Sequence, residues 1–549
     1  MKISGGRAVV EVLQKENVNK IFGVPGESYL EVLDALYQHP RIEFISTRHE
    51  GGASFMAEGY AKASGKVGVC MATRGPGATN LSIGLHTAQQ DSTPLVALIG
   101  QVDRPHKNRE AFQEIDLAAY FSHLCKWTVE IDRTERIPEL LHRAFHIART
   151  GRPGPVLVSL PEDMLTEIAE VKELHSYHIC PPEPNDFAIK QAVDEMMKAK
   201  RPIIIAGGGV IQSKATAYLI KMAESLQVPV ATAFRRLDAF PNSHPLYAGS
   251  LGLSNTPGLV DYVQKADLVV AIGTRFSQIT SQDYTLIGEN TRLIHVDISP
   301  DVIGKVYAPF LPVVSDSKVF LQKVLKEIEK SEAPERKNLI KGLHEKYMEF
   351  STPTPEYSDD YVDMDGMMYD LVKQLPKDSI LTCDAGNFFS WQSRYYRFEE
   401  ENTFIGPTSG AMGYGLPAAI GAKLSKPEKT VVSFSGDGGF MMTLQEFETA
   451  VRYDIPILAI VVNNNMYGTI RMHQEKHHPD RQIATELTNP CFSELAKQFG
   501  GYGERVERNA EFLPALERAL SSGKPALIEV MTNPEIISAN HKKVRHERI

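Results

Sequence analysis

The stretch that decides the fold is residues 436–468, which read GDGGFMMTLQEFETAVRYDIPILAIVVNNNMYG. Residues 431–434 just before it and residues 457–462 within it are short apolar runs of the kind that form buried strands. Between the two runs, apolar side chains recur at helical spacing over residues 444–451. The stretch is therefore predicted to be a β-α-β unit with parallel strands and a right-handed crossover.

Polar residues follow both predicted strands. Asp437 lies in the glycine turn after the first strand, and Asn464 follows the second. Because the carboxyl ends of parallel strands meet at one edge of a sheet, the two side chains are expected to converge. A carboxylate, an amide oxygen and nearby carbonyls suit a hard divalent cation, and a glycine turn that leads into a helix suits a diphosphate. Either turn alone is typical of an ordinary loop; the combination predicts a metal and diphosphate site.

The size and composition of the chain limit the classes of function that it can have. A length of 549 residues fits about three domains. The net charge of −9 argues against binding to nucleic acid or to anionic membranes, which need a basic surface. No apolar run reaches membrane-spanning length, the five cysteines are scattered, and no targeting segment precedes the first predicted helix. We therefore expect a cytoplasmic protein whose basic stretch at residues 541–548 is a solvated end.

The chain is predicted to be an α/β protein built from three doubly wound parallel-sheet domains. Strand patterns alternate with helical patterns in three blocks, residues 1–170, 188–331 and 365–549, which are separated by polar, proline-containing linkers. Besides the two strands of the opening stretch, buried strands are predicted at residues 20–23, 43–46, 67–72, 95–99, 156–160, 202–206, 268–272, 293–296 and 380–383.

Further motifs run through the chain in a fixed order. They are residues 23–26 (GVPG), 48–50 (RHE), 73–80 (TRGPGATN), 111–114 (AFQE) and 409–418 (SGAMGYGLPA). Together with the GDG and NN of the opening stretch, they resemble the motifs of thiamine diphosphate enzymes, and of the acetolactate synthase group in particular. The resemblance covers essentially the whole chain, so it is more specific than any single motif. It implies a pyrimidine-binding first domain, a central domain and a diphosphate-binding third domain.

The resemblance implies a role for each candidate residue. Glu50 and Gln113 would be catalytic, and Glu50 would hold the proton that the aminopyrimidine ring of thiamine diphosphate needs, which requires a poorly solvated carboxyl group. Taken alone, Glu50 is typical of a carboxylate at a helix start. Mg²⁺ would be bound by Asp437, the Asn464 side chain and the Met466 carbonyl. The cofactor would also contact Pro25, Gly26, Glu50, Thr73, Pro76, Asn80, Gly386, Asn387, Gly410, Met412, Gly436, Gly438, Gly439, Tyr467 and Gly468.

One position near the cofactor allows two interpretations, and another departs from the family. Met412 matches the family residue that bends the cofactor, and it is equally consistent with a methionine that fills the core. Phe388 departs from the polar side chain that the family often has at this position.

The central domain is predicted to bind FAD. A glycine cluster at residues 207–209 follows a strand, which alone is a weak nucleotide signal. The resemblance to the flavin-contacting segments of acetolactate synthases is more specific. It implies that FAD contacts Arg152, Gly207, Gly208, Arg275 and Asp297. Other relatives bind ADP here or nothing, and these two alternatives stay open.

The resemblance also implies partners. The substrate would be a 2-keto acid, pyruvate foremost. The cofactor would lie between the first domain of one subunit and the third domain of another, so a homodimer or homotetramer is expected. A regulatory subunit and a place in branched-chain amino acid biosynthesis are further implications.

Three positions depart from biosynthetic acetohydroxyacid synthases. Ile279 replaces an arginine, His473 replaces a tryptophan, and Glu162 replaces a common lysine. The acceptor substrate is therefore not determined. The first interpretation is an acetolactate synthase-like carboligase. The alternatives are a 2-keto acid decarboxylase or flavin-dependent pyruvate oxidase of the same superfamily, and a non-catalytic nucleotide-binding protein.

Overall fold

The fold consists of three six-stranded parallel sheets, each flanked by helices. The structure is a computed structural model that describes residues 2–329, 336–357 and 360–540. The predicted solvated end at residues 541–548 and parts of the second linker lie outside the described residues. The three parallel sheets confirm the predicted fold class, whereas the block boundaries stay a prediction.

The first sheet has the strand order β3-β2-β4-β5-β7-β6, and a short antiparallel pair, β1 with β8, lies beside it. Its strands are β1 (Lys2–Ser4), β2 (Lys20–Gly23), β3 (Glu43–Ser46), β4 (Gly68–Thr73), β5 (Leu95–Gln101), β6 (Trp127–Glu130), β7 (Pro155–Pro161) and β8 (Ile168–Glu170). The helices are α1 (Gly5–Lys15), α2 (Leu30–Tyr37), α3 (Glu50–Ser64), α4 (Arg74–Asp91), α5 (Leu117–Phe121), α6 (Ile137–Arg149) and α7 (Glu162–Thr166).

The central sheet has the order β11-β10-β9-β12-β13-β14. Its strands are β9 (Pro202–Ala206), β10 (Val230–Thr232), β11 (Tyr247–Ser250), β12 (Leu268–Ile272), β13 (Arg292–Asp297) and β14 (Leu311–Val314). The helices of this part of the chain are α8 (Asp186–Lys198), α9 (Gly208–Gln212), α10 (Thr216–Leu226), α11 (Leu259–Gln264), α12 (Ser317–Ile328) and α13 (Lys337–Phe350).

The third sheet has the order β16-β15-β17-β18-β20-β19. Its strands are β15 (Ile380–Cys383), β16 (Phe404–Ile405), β17 (Val431–Gly436), β18 (Leu458–Asn463), β19 (Tyr502–Val506) and β20 (Ala526–Met531). The helices are α14 (Met364–Gln374), α15 (Phe389–Tyr395), α16 (Gly415–Ser425), α17 (Asp437–Phe440), α18 (Glu446–Arg452), α19 (Gly468–His477), α20 (Phe492–Gln498) and α21 (Asn509–Ser521).

The opening stretch forms the β-α-β unit that its pattern predicts. Strands β17 and β18 are parallel neighbours, with Val432 opposite Leu458. The glycine turn after β17 is the single-turn helix α17, and the predicted helix forms as α18. All eleven predicted strands are present within two residues of their predicted bounds. Continuous apolar runs mark them because both faces of a parallel sheet are covered by helices.

The strands that the sequence patterns missed are mostly short ones at sheet edges, such as β6, β14 and β16. An edge strand carries partly exposed or polar residues, so it lacks the continuous apolar run of a central strand. Strand β14, for example, alternates buried and exposed residues.

The first and third domains share one hydrophobic core. Helix α3 packs along α16, and the Phe55 ring lies edge-on to the Tyr414 ring with a centroid distance of 5.2 Å. Glycines allow the two helix backbones to approach closely: a Cβ at Gly59 would lie 2.5 Å from the Ala418 carbonyl oxygen. The two domains that carry the candidate site are thereby packed on each other within one chain. Among the described residues, no helix has the length and apolarity needed to cross a bilayer.

Candidate active site

A cavity of about 260 Å³ lies at the carboxyl edge of the third sheet, beyond the ends of β15, β17 and β18. Every candidate residue that the sequence placed in the third domain lines it: Gly386, Asn387, Gly410, Met412, Gly436, Asp437, Gly438, Gly439, Asn464, Met466, Tyr467 and Gly468. The edge at which parallel strands end therefore brings these four separate loops together, as predicted.

Asp437 is the buried carboxylate of this cavity, with 2% of its surface exposed. Its Oδ1 accepts a hydrogen bond from the Gly438 N–H at 3.0 Å, and its Oδ2 accepts one from Asn489 Nδ2 at 2.7 Å. Burial raises the pKa of the Asp437 carboxyl above its usual value. A bound cation would offset this cost, and a carboxylate beside an amide oxygen and a backbone carbonyl is a donor set that suits Mg²⁺.

Asn489 is a residue of the site that sequence reasoning missed. Its Nδ2 lies 2.7 Å from Asp437 Oδ2, 3.0 Å from Asn463 Oδ1 and 3.2 Å from Asn465 Oδ1. It thus orients the Asp437 carboxylate and ties it to the loop after β18. Asn489 is followed by a proline outside any strand-turn-helix frame, so its sequence context indicated only a turn.

Glycines allow the loops that line this cavity to pack closely. A Cβ at Gly438 would lie 2.5 Å from the Tyr467 ring, and one at Gly439 would lie 2.8 Å from Asp384 Oδ2. Gly410 has a φ of +69° and opens onto the cavity, and a Cβ added there would meet nothing within 4 Å. The glycine cradle and the donor set together fit a metal-bound diphosphate.

Two side chains shape the apolar part of the cavity wall. Met412 is half-buried and lines the cavity, and it belongs to none of the large hydrophobic clusters of the described residues. Phe388 is buried, and its ring lies 2.5 Å from the position of a Cβ at Gly386. Of the two interpretations of Met412, the position at the cavity wall favours contact with the cofactor.

The candidate residues of the first domain gather at the carboxyl edge of the first sheet. Glu50 begins α3, and its Oε2 accepts a hydrogen bond from Asn80 Nδ2 at 2.9 Å. A Cβ at Gly77 would lie 3.1 Å from Glu50 Oε1, and one at Gly26 would lie 2.6 Å from the Thr73 side chain. The ends of β2, β3 and β4 therefore assemble one half-site around the Glu50 carboxylate.

Gln113 belongs to the same half-site, because its carbonyl accepts a hydrogen bond from the Gly75 N–H at 2.9 Å. Pro25 lies in the loop after β2, and Pro76 lies in the first turn of α4. In the part of the chain that the structure describes, no first-domain residue lines the 260 Å³ cavity. Glu50 is only half-buried, so one chain alone does not provide the poorly solvated carboxyl that the sequence analysis expects.

A second cavity, of about 640 Å³, lies between the first and central domains. Arg152, Gly208, Arg275 and Asp297 line it, as do Asp91 and Arg236, which sequence reasoning missed. Gly207 lies outside the lining and serves close packing instead, since a Cβ there would be 2.2 Å from the Gly273 carbonyl oxygen.

The electrostatics of the 640 Å³ cavity favour an anionic ligand. Burial and the neighbouring Arg152 and Arg236 lower the pKa of Arg275 to about 10. Burial raises the pKa of Asp297 to about 6. Several guanidinium groups that line one cavity are suited to a phosphate-containing ligand.

The three positions that depart from biosynthetic acetohydroxyacid synthases lie in different environments. Ile279 is partly buried and lines the 640 Å³ cavity. His473 is exposed on α19 and stacks on His477 with a centroid distance of 6.1 Å. Glu162 accepts a hydrogen bond from Arg74 Nη2 at 2.5 Å. His473 does not line the 260 Å³ cavity and faces solvent instead.

Comparison with protein families covers all three domains. Residues 3–120 match the N-terminal thiamine pyrophosphate binding domain of thiamine pyrophosphate enzymes, residues 189–324 match their central domain, and residues 384–530 match their C-terminal thiamine pyrophosphate binding domain. The chain belongs to the thiamine pyrophosphate enzyme family.

Full-length relatives identify the branch of that family. The chain is 35% identical to a probable acetolactate synthase large subunit of Methanocaldococcus jannaschii, over 97% of this chain and 92% of the relative. It is 34% identical to the acetolactate synthase large subunit of Corynebacterium glutamicum, over 97% and 87%. It is 32% identical to the acetolactate synthase isozyme 2 large subunit of Escherichia coli (strain K12), over 96% and 95%. The predicted resemblance to the acetolactate synthase group is confirmed.

Proposed function

We propose that this protein catalyses the thiamine diphosphate- and Mg²⁺-dependent decarboxylation of a 2-keto acid, pyruvate foremost, and joins the resulting two-carbon unit to a second carbonyl compound. The observation that carries the proposal is the 260 Å³ cavity, in which Asp437, Asn464 and Met466 face a glycine cradle. The similarity to acetolactate synthase large subunits favours carboligation over the decarboxylase and oxidase alternatives. The catalytic family and the intact site disfavour a non-catalytic nucleotide-binding protein.

When bound, thiamine diphosphate supplies the nucleophilic carbon that attacks the keto acid and the electron sink that allows CO₂ to leave. The residues of the third domain hold its anionic end. Asp437, the Asn464 amide oxygen and the Met466 carbonyl bind Mg²⁺, and Asn489 orients the carboxylate. Met412 supports the cofactor from the cavity wall.

The first domain contributes the proton-handling group. Glu50 holds a proton on its carboxyl group against the aminopyrimidine ring, and Asn80 orients that carboxyl. Gln113 lies at the same edge and serves as a hydrogen-bond donor toward the reacting groups.

The two halves of the site are completed by a second copy of the chain. Within one chain the Glu50 half-site and the 260 Å³ cavity are separate, and the exposed side chains of Phe112, Met441 and Met442 lie beside them in the sequence. Exposed apolar side chains of this kind are suited to burial in a protein interface. We therefore expect a homodimer or a homotetramer. The name "large subunit" of the relatives extends the expectation to a regulatory small subunit.

The 640 Å³ cavity is proposed to hold FAD. Its volume, its arginines and the resemblance of Arg152, Arg275 and Asp297 to flavin-contacting residues support this assignment. Denaturing the purified protein and recording the absorbance spectrum of the supernatant tests it. A flavin spectrum is expected; a colourless supernatant that contains ADP, or nothing, contradicts it.

We propose that the enzyme has no strong preference for 2-ketobutyrate over pyruvate as the acceptor. With Ile279 in place of arginine, the acceptor carboxylate loses a charge-assisted partner worth about 1.5–3 kcal/mol. With His473 facing solvent, the apolar surface that would favour an ethyl over a methyl group is smaller. In a competition between pyruvate and 2-ketobutyrate, with products counted by mass, a large excess of the 2-ketobutyrate product would contradict this proposal.

Product analysis after incubation with pyruvate tests the reaction itself. Acetolactate is expected as the main product. Acetaldehyde as the main product would indicate a decarboxylase, and acetate would indicate an oxidase. A place in branched-chain amino acid biosynthesis in the cytoplasm follows from the proposed reaction.

A further inference from the structure

We propose that Glu446, on α18 of the third domain, is a positioning residue that holds the turn carrying Glu50. The inference rests on the proposed catalytic role of Glu50. Glu446 does not line the 260 Å³ cavity. It would act through its hydrogen bonds to the backbone of the first domain.

The Glu446 carboxylate binds the backbone directly before Glu50. Its Oε1 accepts hydrogen bonds from the His49 N–H at 3.0 Å and from the Arg48 N–H at 3.3 Å. Its Oε2 accepts from the Arg48 N–H at 3.2 Å and from the Thr449 hydroxyl at 2.8 Å. Both N–H groups precede α3, where backbone donors have no partner within the helix. The carboxylate also lies at the positive end of the α3 dipole. The turn is thus fixed by an acceptor that comes from a different domain.

Glu446 is an unusual buried carboxylate. None of its surface is exposed, and in the described part of the chain it forms no ion pair. Arg452 on the same helix pairs with Glu448 instead, at 2.5 Å. Burial raises the pKa of Glu446 to about 7. A buried carboxylate without a cationic partner is costly, so its hydrogen bonds to the turn have to offset that cost.

A second residue of the same region reinforces the attachment. The Tyr453 hydroxyl accepts a hydrogen bond from the Ser46 N–H at 2.8 Å. Gly52 packs against Glu446, and a Cβ there would lie 2.4 Å from Glu446 Oε1. The hydrogen bonds to Glu446 and Tyr453, together with the close packing at Gly52, restrict the movement of the turn.

The attachment matters because Glu50 is the first residue of α3 and directly follows the turn. Asn80 orients its carboxyl group, but the backbone position of Glu50 follows from the turn that Glu446 holds. A general acid–base group must lie within hydrogen-bond reach of its target. Displacing such a group by about 1 Å costs about 10²-fold in rate.

The test separates the effect of side-chain length at position 446 from the effect of its charge. Glu446→Asp keeps the charge and shortens the side chain, so it loses the bonds to the turn. Glu446→Gln loses the charge and keeps an oxygen that accepts from the same two N–H groups. We expect Glu446→Asp to lower kcat for CO₂ release by about 10–10²-fold, with little change in the KM for pyruvate or in cofactor half-saturation. Glu446→Gln should retain most activity, as should the control Glu517→Gln, which changes an exposed glutamate of α21.

A double-substitution experiment shows whether Glu446 acts through Glu50. In a Glu50→Gln background, Glu446→Asp should lower kcat no further, because the group that it positions is already lost. Additive losses would overturn the inference. So would an active Glu446→Asp variant together with an inactive Glu446→Gln variant, since charge and not reach would then matter.

Hydrogen exchange followed by mass spectrometry provides a readout that does not depend on activity. Amide exchange of residues 46–50 should be faster in Glu446→Asp than in the unmodified protein and unchanged in Glu517→Gln. If the unmodified protein releases no CO₂ from any 2-keto acid, the proposed function fails while faster exchange still supports the attachment. Unchanged exchange overturns the attachment whatever the activity.

Discussion

The site depends, at the scale of single residues, on polar side chains that orient other polar side chains. Asp437 is the charged member of the proposed Mg²⁺ ligand set, and Asn489 binds its Oδ2 at 2.7 Å. In the other half-site, Asn80 binds Glu50 Oε2 at 2.9 Å. Amide donors that fix a carboxylate in this way set both the direction of its lone pairs and its ability to bind a metal or a proton.

Replacing Asn489 is expected to weaken metal binding without removing a ligand. In Asn489→Ala the Asp437 carboxylate loses its side-chain donor, and the affinity for Mg²⁺ should fall about 10–100-fold. Titration of the apo protein with Mg²⁺ and thiamine diphosphate measures the change. The exposed Asn290→Ala, in the central domain, is the control and should bind as the unmodified protein does. An unchanged Mg²⁺ affinity in Asn489→Ala would show that this contact is not part of the metal site.

Replacing Glu50 is expected to separate catalysis from binding. Glu50→Gln keeps the size of the side chain and loses its acid–base function, so kcat for CO₂ release should fall about 10²–10⁴-fold. The half-saturation by thiamine diphosphate should stay nearly constant because the diphosphate binds in the third domain. Glu43→Gln, at the opposite end of β3, should have no effect. Undiminished turnover by Glu50→Gln would contradict the assigned role.

At the scale of elements, helices α3 and α16 hold the first and third domains together through close backbone contact. A Cβ at Gly421 would lie 2.1 Å from the Met56 carbonyl oxygen, and one at Gly59 would meet the backbone of Ala418. Glu50 begins α3, and the residues before α16 line the 260 Å³ cavity. The crossing of these two helices therefore affects both half-sites.

Adding one methyl group at this crossing is expected to destabilise the protein. Gly421→Ala should lower the free energy of unfolding by about 1–3 kcal/mol, because the new Cβ overpacks the helix contact. The matched control is Gly342→Ala, also within a helix, where nothing lies within 4 Å of an added Cβ. That change should stabilise by about 0.5–1 kcal/mol. Denaturant unfolding distinguishes the two, and equal effects would argue against close packing at Gly421.

At the scale of the whole molecule, the proposed assembly would join two half-sites that are separate within one chain. The 260 Å³ cavity is lined by third-domain residues, and the Glu50 half-site belongs to the first domain. In the proposed assembly, the cofactor would lie between two copies of the chain.

Mixing two inactive variants tests this arrangement. A mixed dimer of Glu50→Gln and Asp437→Ala contains one site with both residues intact and one site with neither. Random exchange of equal amounts should restore about one quarter of the unmodified activity, since about half of the dimers are mixed and half of their sites are complete. The experiment requires subunit exchange, which labelled chains verify. If labels exchange and activity does not return, each site lies within one chain.

The sequence by itself determined the fold class and the third-domain candidate residues that line the 260 Å³ cavity. Buried parallel strands are continuous apolar runs, so β17 and β18 were recognisable from the sequence. Because the carboxyl ends of parallel strands meet at one edge of a sheet, Asp437 and Asn464 were then expected at that edge. Only the tertiary structure decided which distant residues support them. Asn489 lies 52 positions from Asp437, and Glu446 lies 398 positions from Arg48. No local pattern encodes such pairs, because hydrogen bonds between separate loops and domains depend on how the sheets and helices pack.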